Sequence, residues 1–340
     1  GIDYVVDNER KSSIFGIVEK HFRGEMADPE GFDKDLFNYD AAYKTFHTRS
    51  MIKIQDGCDN FCTFCIIPKV RGRATSRPAE EIYNNIREVI EYGFKEVVLT
   101  GVNIGRYQDG TTDFEQLVEN ILQLSGDFRL RISSIEPDGF TDRFFELFAH
   151  PKLTPHLHLC LQSGDESILL KMRRMYTART FRNMAEKLKS LYPDFNLTTD
   201  IIVGFPGETE EEFDHTINFA KELKFSHIHT FKYSVRSGTR AERFPEQIQE
   251  KIKNKRSEVI RKISEENKRF YYSQMIGKKQ RLLIERISSD GVARGYGENY
   301  IPIRLKAKGL VKNQFVDVVI SELYEGKELE VWARLDLVGN

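Results

Sequence analysis

The sequence predicts an α/β fold followed by a small β-barrel, and three observations support this prediction. Between residues 50 and 244, short apolar runs alternate with helical patterns, which is typical of parallel βαβ units. Residues 245–274 are then expected to form one long basic helix with a single apolar face. From residue 276 the pattern changes to short alternating runs, which are typical of a small β-barrel. The chain of 340 residues is long enough for two or three such domains.

The α/β part is predicted from six apolar runs, each of the length of one strand. Pro78 before two glutamates and Thr209 before three glutamates are signals for the start of a helix. The expected strands are 51–55, 96–102, 129–135, 156–161, 197–204 and 227–233. The expected helices are 78–92, 113–125, 141–149, 165–191 and 209–223.

The two ends of the chain have different patterns. Residues 1–45 hold ten acidic and six basic side chains; a strand is expected at 2–6 and a short helix or extended segment at 11–21. The strands expected in the C-terminal barrel are 281–287, 299–303, 314–323 and 329–334.

Composition excludes several classes of protein. The sequence has no run of eighteen apolar residues, which excludes a transmembrane helix. Four cysteines without a signal peptide indicate a reducing cytoplasm. The net charge of −1 gives no overall attraction to nucleic acid, but residues 246–281 hold eleven basic and five acidic side chains. Any contact with RNA is therefore expected in the C-terminal third.

Three cysteines in one short loop are the most informative feature of the chain. Cys58, Cys62 and Cys65 have the spacing C-x3-C-x2-C and follow the expected strand 51–55. Thiolates are the ligands that iron–sulfur clusters use, and three of them on a [4Fe–4S] cluster leave the fourth iron open. An open metal position is typical of a reactive site, whereas structural sites are closed. The spacing therefore predicts a reactive [4Fe–4S] cluster.

Less specific interpretations of the cysteines remain open. A structural zinc site needs four Cys or His ligands, and the nearest histidines in sequence are His47 and His150. A disulfide framework is typical of short secreted chains, which this chain does not resemble in length. Buried, inert thiols seldom cluster three in eight positions with glycine and polar residues between them.

The cysteine loop resembles that of the radical S-adenosylmethionine (SAM) enzymes and, among them, the tRNA methylthiotransferases. The resemblance lies in residues 54–68, which read I-Q-D-G-C-D-N-F-C-T-F-C-I-I-P, followed by R-G-R at 71–73 and S-R-P at 76–78. It extends over roughly residues 50–340, with further separated motifs in the order of the family. One of these motifs is T-D-I-I-V-G-F-P-G-E-T at 199–209.

The resemblance implies a division of the chain into four parts. Residues 1–45 resemble the remnant of an N-terminal methylthiotransferase domain, and 46–244 the radical SAM core, a six-stranded partial (β/α) barrel. Residues 245–274 would form the basic connecting helix, and 275–340 a small antiparallel β-barrel of the TRAM type, which binds RNA. The family holds a second [4Fe–4S] cluster with three cysteines of the N-terminal domain, and besides the loop this sequence has only Cys160. The second cluster is therefore expected only in the complete protein.

SAM has to be held at its methionine moiety, ribose and adenine, by residues near the carboxyl ends of the strands. Thr100 to Asn103 follow the second strand, and the glycine between them lets the backbone approach the ligand closely. Glu136 could accept from an ammonium or a hydroxyl, or could form a barrel salt bridge. The aromatic candidates could flank adenine or pack in the core. The expected SAM contacts are Phe64, Gly101, Asn103, Ser134, Glu136, Gln162, Ser163, Arg173, Asp200, Ile202 and Phe231.

RNA contacts are expected in the C-terminal barrel. The segment 293–302, A-R-G-Y-G-E-N-Y-I-P, resembles the central stretch of TRAM domains. Arg294, Tyr296 and Tyr300 are the candidates, because aromatic rings beside an arginine can stack on unpaired bases. The tyrosines could equally pack at the edge of the barrel. Four histidines, His156, His158, His227 and His229, are expected to line the α/β barrel or its core rather than to form a second metal site.

The resemblance implies methylthiolation at C2 of a hypermodified adenosine next to the tRNA anticodon. SAM would be cleaved reductively, and the 5′-deoxyadenosyl radical would abstract hydrogen on the C2 side of the adenine. The segment 100–107, T-G-V-N-I-G-R-Y, is more similar to the subgroup that acts on N6-threonylcarbamoyladenosine than to the isopentenyladenosine subgroup. We expect this chain to cleave SAM but not to insert sulfur by itself, since the cysteines for the auxiliary cluster are lacking.

The expected partners are a tRNA anticodon stem-loop and a flavodoxin-like reductant protein. The enzyme is expected to be monomeric and cytoplasmic and to have no membrane partner. Three alternatives remain: an isopentenyladenosine-tRNA enzyme, a ribosomal-protein methylthiotransferase, and a non-catalytic RNA-binding fragment whose cysteines are structural. A different radical enzyme with a single cluster is a further possibility.

Overall fold

A computed structural model describes residues 1–37 and 48–336 of the chain. Before the α/β part, a 3₁₀ segment at Asn8–Ser13 leads into a helix, and a 3₁₀ turn follows at Pro29–Gly31. Residues 2–6, expected to be a strand, are irregular, because no described strand pairs with them and Ile2 and Val5 are exposed. Further 3₁₀ turns lie at Ile104–Arg106 and Ala241–Arg243.

The regular elements before the C-terminal barrel alternate as the apolar pattern predicts. The strands are β1 (Arg49–Lys53), β2 (Gln55–Asp56), β3 (Thr75–Ser76), β4 (Glu96–Thr100), β5 (Gln108–Asp109), β6 (Thr112–Asp113), β7 (Arg129–Ile132), β8 (Ser134–Ile135), β9 (His156–Leu159), β10 (Asn196–Val203) and β11 (His227–Lys232). The helices are α1 (Ile14–Phe22), α2 (Ile67–Val70), α3 (Ala79–Glu91), α4 (Phe114–Leu122), α5 (Asp142–Leu147), α6 (Glu166–Lys171), α7 (Ala178–Leu191), α8 (Glu210–Leu223) and α9 (Glu250–Gln274).

Two parallel sheets form the wall of the α/β part. One sheet has the order β1-β4-β7 and the other the order β11-β10-β9-β8, and neighbouring strands in both are parallel. Ser133 alone separates β7 from β8, so the chain passes directly from one sheet into the other. Because all these strands run in one direction, their carboxyl ends lie at the same end of the α/β part.

Helices cover the outer face of the strands because their apolar residues recur with helical spacing. In α3, Ile82, Ile86 and Val89 are fully buried in the main core. Helix α8 begins with a capping box, in which Thr209 and Glu212 each bond the other's backbone N–H. No helix among the described residues combines the length and apolar character that crossing a membrane requires.

The helix expected at 165–191 is two helices, α6 and α7. The segment 172–177 separates them: Arg173 has a φ of +58°, and the Thr177 hydroxyl caps α7 by accepting from Thr180 N–H. The apolar spacing continues across this break, which is why the pattern predicts one helix. The break matters because it directs Arg174 toward the cysteine loop.

The C-terminal part is a closed barrel with the order β12-β13-β14-β16-β15. Its strands are β12 (Lys279–Ile287), β13 (Val292–Tyr296), β14 (Pro302–Lys306), β15 (Phe315–Glu325) and β16 (Leu329–Leu335). The sequence missed β13, whose residues V-A-R-G-Y lack the alternation of large apolar and polar side chains that predicts a strand. The expected antiparallel barrel is also corrected at one place, because β14 and β16 pair in parallel.

Candidate functional site

The cysteine loop begins where β2 ends and turns at Gly57. This residue has a φ of +68°, and a Cβ atom here would lie 2.0 Å from the carbonyl oxygen of Arg73. Only glycine fits both the backbone conformation and this close approach. Cys58 N–H then donates to the Gly72 carbonyl at 3.3 Å, which holds the start of the loop against the segment after α2.

Asp56 anchors the loop from its amino-terminal side. Its fully buried carboxylate contacts Lys53, Asn8, Arg71 (3.1 Å) and the N–H of Gly57 (2.8 Å). Burial by itself would raise the pKa of this carboxyl, but the hydrogen bonds from Lys53, Asn8 and Gly57 lower the pKa to about 2. Asp56 therefore stays charged and keeps the backbone before Cys58 in place.

The three loop cysteines are free thiols that are partly shielded from solvent. Cys62 is buried, and Cys58 and Cys65 are half-buried. Burial raises the pKa of the Cys58 thiol and raises that of Cys62 to about 11, although the Arg174 guanidinium opposes this rise at Cys62. Donors already point at two of the sulfurs: Asn60 N–H lies 3.5 Å from Cys58 Sγ and Arg174 Nη1 lies 3.1 Å from Cys62 Sγ.

These donors fit an iron–sulfur cluster. Three thiols in one loop with hydrogen bonds to their sulfurs match the donor set of a [4Fe–4S] cluster, in which such bonds tune the metal centre. The fourth cysteine, Cys160, instead lies at the end of β9, with its sulfur within 4.8 Å of ligand atoms of His158 and Asp200. His158 Nε2 and Asp200 Oδ1 are 3.1 Å apart and pair with each other, so these groups are satisfied without a metal ion.

Arg174, Glu136 and Asn60 form a clamp behind the cysteine loop. Arg174 is almost completely buried and lies 2.8 Å from Glu136, whose other carboxylate oxygen accepts from Asn60 Nδ2 at 2.7 Å. The Arg174 guanidinium also contacts the ring and hydroxyl of Tyr176. Of the two interpretations of Glu136, the salt bridge is therefore present. Sequence reasoning expected Arg173 as the site arginine and missed Arg174 and Asn60, although both lie inside motifs that it had singled out.

The turn after β4 is locked to the cysteine loop by Gln55. The Gln55 side chain donates to the carbonyl oxygens of Asp56 and Gly57 and accepts from the N–H groups of Val102 and Asn103. A Cβ atom at Gly101 would lie 2.8 Å from the Gln55 carbonyl oxygen, so glycine allows the two segments to meet. The Asn103 side chain faces Cys58.

The sequence-predicted SAM residues divide between two cavities. An outer cavity of about 620 Å³ opens at the cysteine loop and is lined by Cys58, Asn60, Asn103 and Arg173, together with residues of the segments 105–108, 113–115 and 138–141. A second cavity of about 600 Å³, which we call the inner cavity, is also open to solvent and is lined by residues of β7–β11, α9 and the C-terminal barrel. Ser134, Asp200 and Phe231 line the inner cavity, together with His156, His158, His227 and His229.

The remaining SAM candidates lie on the wall between strands and helices. Phe64 and Ile202 pack on the same small apolar cluster around Phe205. Gln162 has a φ of +71° and continues the pairing of β9 with β10 by backbone bonds to Asp200 and Ile202. The Ser163 hydroxyl is fully buried at 3.2 Å from that of Thr216 on α8, so this residue ties α8 to the sheet.

The RNA candidates of the C-terminal barrel are packed against the α/β part. The rings of Tyr296 and Tyr300 stack on each other with centroids 4.4 Å apart. Arg131 lies 4.2 Å from the centre of the Tyr300 ring, and Arg49 lies over both rings. The tyrosines therefore pack on each other and beside Arg49 and Arg131, and both rings line a cavity; their contact with RNA stays a prediction. Arg294 is half-buried on β13.

Comparisons with known proteins point to the same chemistry as the loop. A model of the Radical SAM superfamily matches residues 52–220. The threonylcarbamoyladenosine tRNA methylthiotransferase MtaB of Bacillus subtilis is 37% identical, over 94% of this chain and 74% of that protein. MtaB of Thermotoga maritima is 39% identical, over 82% of this chain and 62% of that protein.

A relative whose name gives a different modified adenosine has a similar sequence identity to this chain. The tRNA-2-methylthio-N(6)-dimethylallyladenosine synthase of Fusobacterium nucleatum is 36% identical, over 94% of this chain and 76% of that protein. Among solved structures, the chain is similar to methylornithine synthase, with 16% identity and a TM-score of 0.46, over 64% of this chain and 62% of the other.

Proposed function

The chain belongs to the radical SAM tRNA methylthiotransferase family, and from that premise we propose that it carries out the radical SAM step in the methylthiolation of C2 of a hypermodified adenosine next to the tRNA anticodon. The observation that carries this proposal is the cysteine loop, whose three thiols are held by Asp56, Gln55 and Arg174 in an arrangement that fits one [4Fe–4S] cluster. The chain is an enzyme of this class, with the cluster and SAM as its cofactors.

Each part of the loop would have a distinct task. Cys58, Cys62 and Cys65 would bind three irons as thiolates, and the fourth iron would bind the amino and carboxylate groups of SAM. When bound, the cluster supplies the electron that cleaves SAM to methionine and a 5′-deoxyadenosyl radical. Arg174 would hold Cys62 through its hydrogen bond to the sulfur and stabilise the negative charge of the ligand set.

The SAM molecule would lie between the loop and the turn after β4. Gly101 and Asn103 are proposed for its methionine moiety, because the Gln55 side chain accepts from the N–H groups of Val102 and Asn103 and so ties this turn to the loop. Arg173, which lines the outer cavity, is proposed for the carboxylate. The ribose and the polar edges of the SAM molecule are proposed to contact Ser134, Glu136, Gln162 and Asp200. Phe64, Ile202 and Phe231 are proposed to flank the adenine, while Ser163 would act by fixing α8.

The two sheets are proposed to act as one six-stranded partial barrel around the inner cavity, with β7 and β8 as one strand. The C-terminal barrel is proposed to be a TRAM domain that binds the tRNA stem-loop through Arg294. Tyr296 and Tyr300 would also fix this barrel in place, because their rings contact Arg49 and Arg131. A flavodoxin-like protein as reductant, a monomeric state and a cytoplasmic location complete the proposal.

Two substrates are supported by relatives of similar identity, 37% for threonylcarbamoyladenosine and 36% for dimethylallyladenosine. We favour N6-threonylcarbamoyladenosine, because the segment 100–107 resembles that subgroup and because the cations Lys268 and Arg286 are among the residues that line the inner cavity. The four cysteines suffice for the loop cluster only, so we expect SAM cleavage without methylthiolation from this 340-residue chain.

Anaerobic reconstitution of the chain tests the proposal. We expect about four irons per chain and formation of 5′-deoxyadenosine when SAM and a reductant are added. A Cys62→Ala variant is the control and should bind little iron. A chain without iron and without cleavage, which still binds tRNA, would overturn the enzyme assignment in favour of an RNA-binding module. A methylthiolated product from this chain alone would contradict the need for auxiliary cysteines.

A further inference from the structure

The inner cavity contains a positive charge that the cysteine chemistry does not use. Lys268 lies on α9, the long helix that packs on β11, and its side chain lines the cavity beside His227 and His229. It is half-buried, and burial lowers the pKa of its ammonium group. Among the residues that the structure describes, none makes a hydrogen bond or ion pair with Lys268 Nζ. An ammonium group in this environment favours an anionic partner.

Most other charges of the cavity are already paired inside the protein. Asp200 pairs with His158 at 3.1 Å, and Glu330 pairs with Arg304 at 2.9 Å. Arg131 lies 3.5 Å from the buried carboxylate of Glu96 and stacks on a tyrosine ring. These groups therefore leave no strong acceptor for the lysine deep in the cavity.

The histidines beside the lysine add hydrogen-bonding capacity without charge. Burial and the nearby ammonium lower the pKa of His227 to about 4, and burial also lowers the pKa of His229. Both rings are therefore neutral at pH 7. His227 Nδ1 and the Thr230 hydroxyl are buried and have no hydrogen-bond partner in the described part of the chain.

Two more charged residues stand at the rim of the cavity. Arg286 of β12 is exposed and has no ion-pair partner within the described ranges, whereas the exposed Glu328 lies close enough to act on the lysine. Lys268 inside and Arg286 at the rim therefore give the cavity two cations on the side of α9 and the C-terminal barrel. A carboxylate that enters the cavity would meet both.

We propose that Lys268, assisted by Arg286, binds the carboxylate of the N6 substituent of the substrate adenosine and thereby selects a threonylcarbamoyl over a dimethylallyl group. This inference rests on the proposed function, because it names the substrate that the same site would accept. A threonylcarbamoyl group carries a carboxylate, a hydroxyl and amides, for which the Lys268 ammonium and the unpaired Nδ1 of His227 are matched partners. A dimethylallyl group is a hydrocarbon and would bury the ammonium without any compensating bond.

The size of the cavity agrees with this proposal. A volume of about 600 Å³ falls in the range of small-molecule sites, and an adenosine with a side chain of this size fits such a volume. Leu329 is an apolar residue of the lining and would contact the base of the substrate. Polar residues line the cavity on β7–β10 as well as toward α9, so the ring and the substituent would both meet hydrogen-bonding groups.

The test is a comparison of binding affinities with the full chain and four anticodon stem-loops. Their adenosine carries threonylcarbamoyl, its neutral carboxamide analogue, dimethylallyl or no substituent. We expect the unaltered chain to bind the carboxylate form roughly tenfold more tightly than the carboxamide. In Lys268→Gln this ratio should fall to about one, and Lys268→Arg should restore most of it, since an arginine keeps the charge.

Lys262→Gln is the matched control, because Lys262 is an exposed lysine of the same helix that does not line the cavity. It should leave the ratio unchanged. If Lys268→Gln weakens all four stem-loops equally, the lysine contacts backbone phosphate and the proposal is wrong. If all four bind but the unaltered chain shows no preference for the carboxylate, the inference fails while the proposed function stands. If none of the four binds, the tRNA substrate itself is overturned.

Discussion

The two ends of the α/β part are stabilised by different kinds of contact. At the carboxyl ends of the strands, the cysteine loop is fixed largely by residues close in sequence, such as Asp56, Gly57 and Gly72. At the amino ends, the contacts join residues far apart: Arg129 Nη1 donates to the Tyr296 and Gly297 carbonyls at 3.1 Å, more than 160 positions away. The three thiols are therefore spaced by adjacent residues and supported by Arg174 from far along the chain, whereas the contact between the α/β part and the C-terminal barrel, called the junction below, joins residues far apart in sequence.

The junction is built around one buried acid. Glu96 is 1% exposed and lies 2.6 Å from Arg129, 3.5 Å from Arg131 and 3.9 Å from Arg49. Arg49 also contacts Glu285 and Tyr300 of the C-terminal barrel. A single carboxylate therefore holds the three arginines through which the two domains meet, and its removal would leave their charges uncompensated.

The largest effect should come from a loop ligand. Cys62→Ala is expected to remove nearly all cluster iron and all SAM cleavage, because two thiolates cannot hold a [4Fe–4S] cluster with one open iron. Iron analysis and 5′-deoxyadenosine formation measure the loss. Cys160→Ser should retain its iron, since Cys160 lies outside the loop. Equal iron loss in both variants would show that the cluster is not confined to the loop.

A substitution at the junction should change the stability of the protein rather than its cleavage of SAM. Glu96→Gln is expected to lower the free energy of unfolding by about 3–5 kcal/mol, the typical cost of breaking a buried ion pair. Urea unfolding followed by circular dichroism measures this change. Asp127→Asn is the control, because Asp127 pairs with Lys95 and Arg281 at the surface and should cost less than about 1 kcal/mol. Similar losses in both variants would mean that Glu96 does not stabilise the junction.

Arg174 makes a long-range contact at the reactive site, because it is distant in sequence from the cysteine loop but donates a hydrogen bond to Cys62 of that loop. Arg174→Gln should weaken cluster retention about 10- to 100-fold, as is common when a group that orients a metal ligand is removed. Competition with an iron chelator, followed by the visible absorbance of the cluster, measures retention. Arg173→Gln should keep the cluster, because Arg173 lines the outer cavity and makes no contact with Cys62 Sγ. Equal retention by both variants would contradict the clamp.

The smallest expected effect is the change with pH in the stability contributed by Asp56, the residue that anchors the cysteine loop. The pKa of Asp56 is lowered from 3.8 to about 2 in the folded protein, so its contribution to stability is present above pH 4 and is lost as the pH falls toward 2. A shift of this size corresponds to about 2 kcal/mol. The difference in unfolding free energy between the unaltered chain and Asp56→Asn should therefore shrink as the pH is lowered from 5 to 2. A difference that stays constant with pH would contradict the charged anchor.

Local patterns predicted much of the fold and the core of the site. The spacing of Cys58, Cys62 and Cys65 identifies the ligand set, because the three residues lie in one turn of chain. Periodicity likewise placed the strands and most helices, since burial on one face repeats with the local geometry. It missed the break between α6 and α7, where Arg173 takes a positive φ, and it missed β13, whose small and charged residues lack an apolar alternation.

What the sequence by itself determined is the chemistry: three thiols in one loop, a βαβ core and a C-terminal barrel. The tertiary structure alone decided which side chains serve that chemistry. It brought Arg174 to Cys62, made Tyr296 and Tyr300 part of the contact between the α/β part and the C-terminal barrel, and left Lys268 beside His227 without an ion pair among the described residues. The physical reason is that ligand spacing is a property of adjacent residues, whereas charge pairing depends on strands and helices that meet only after folding.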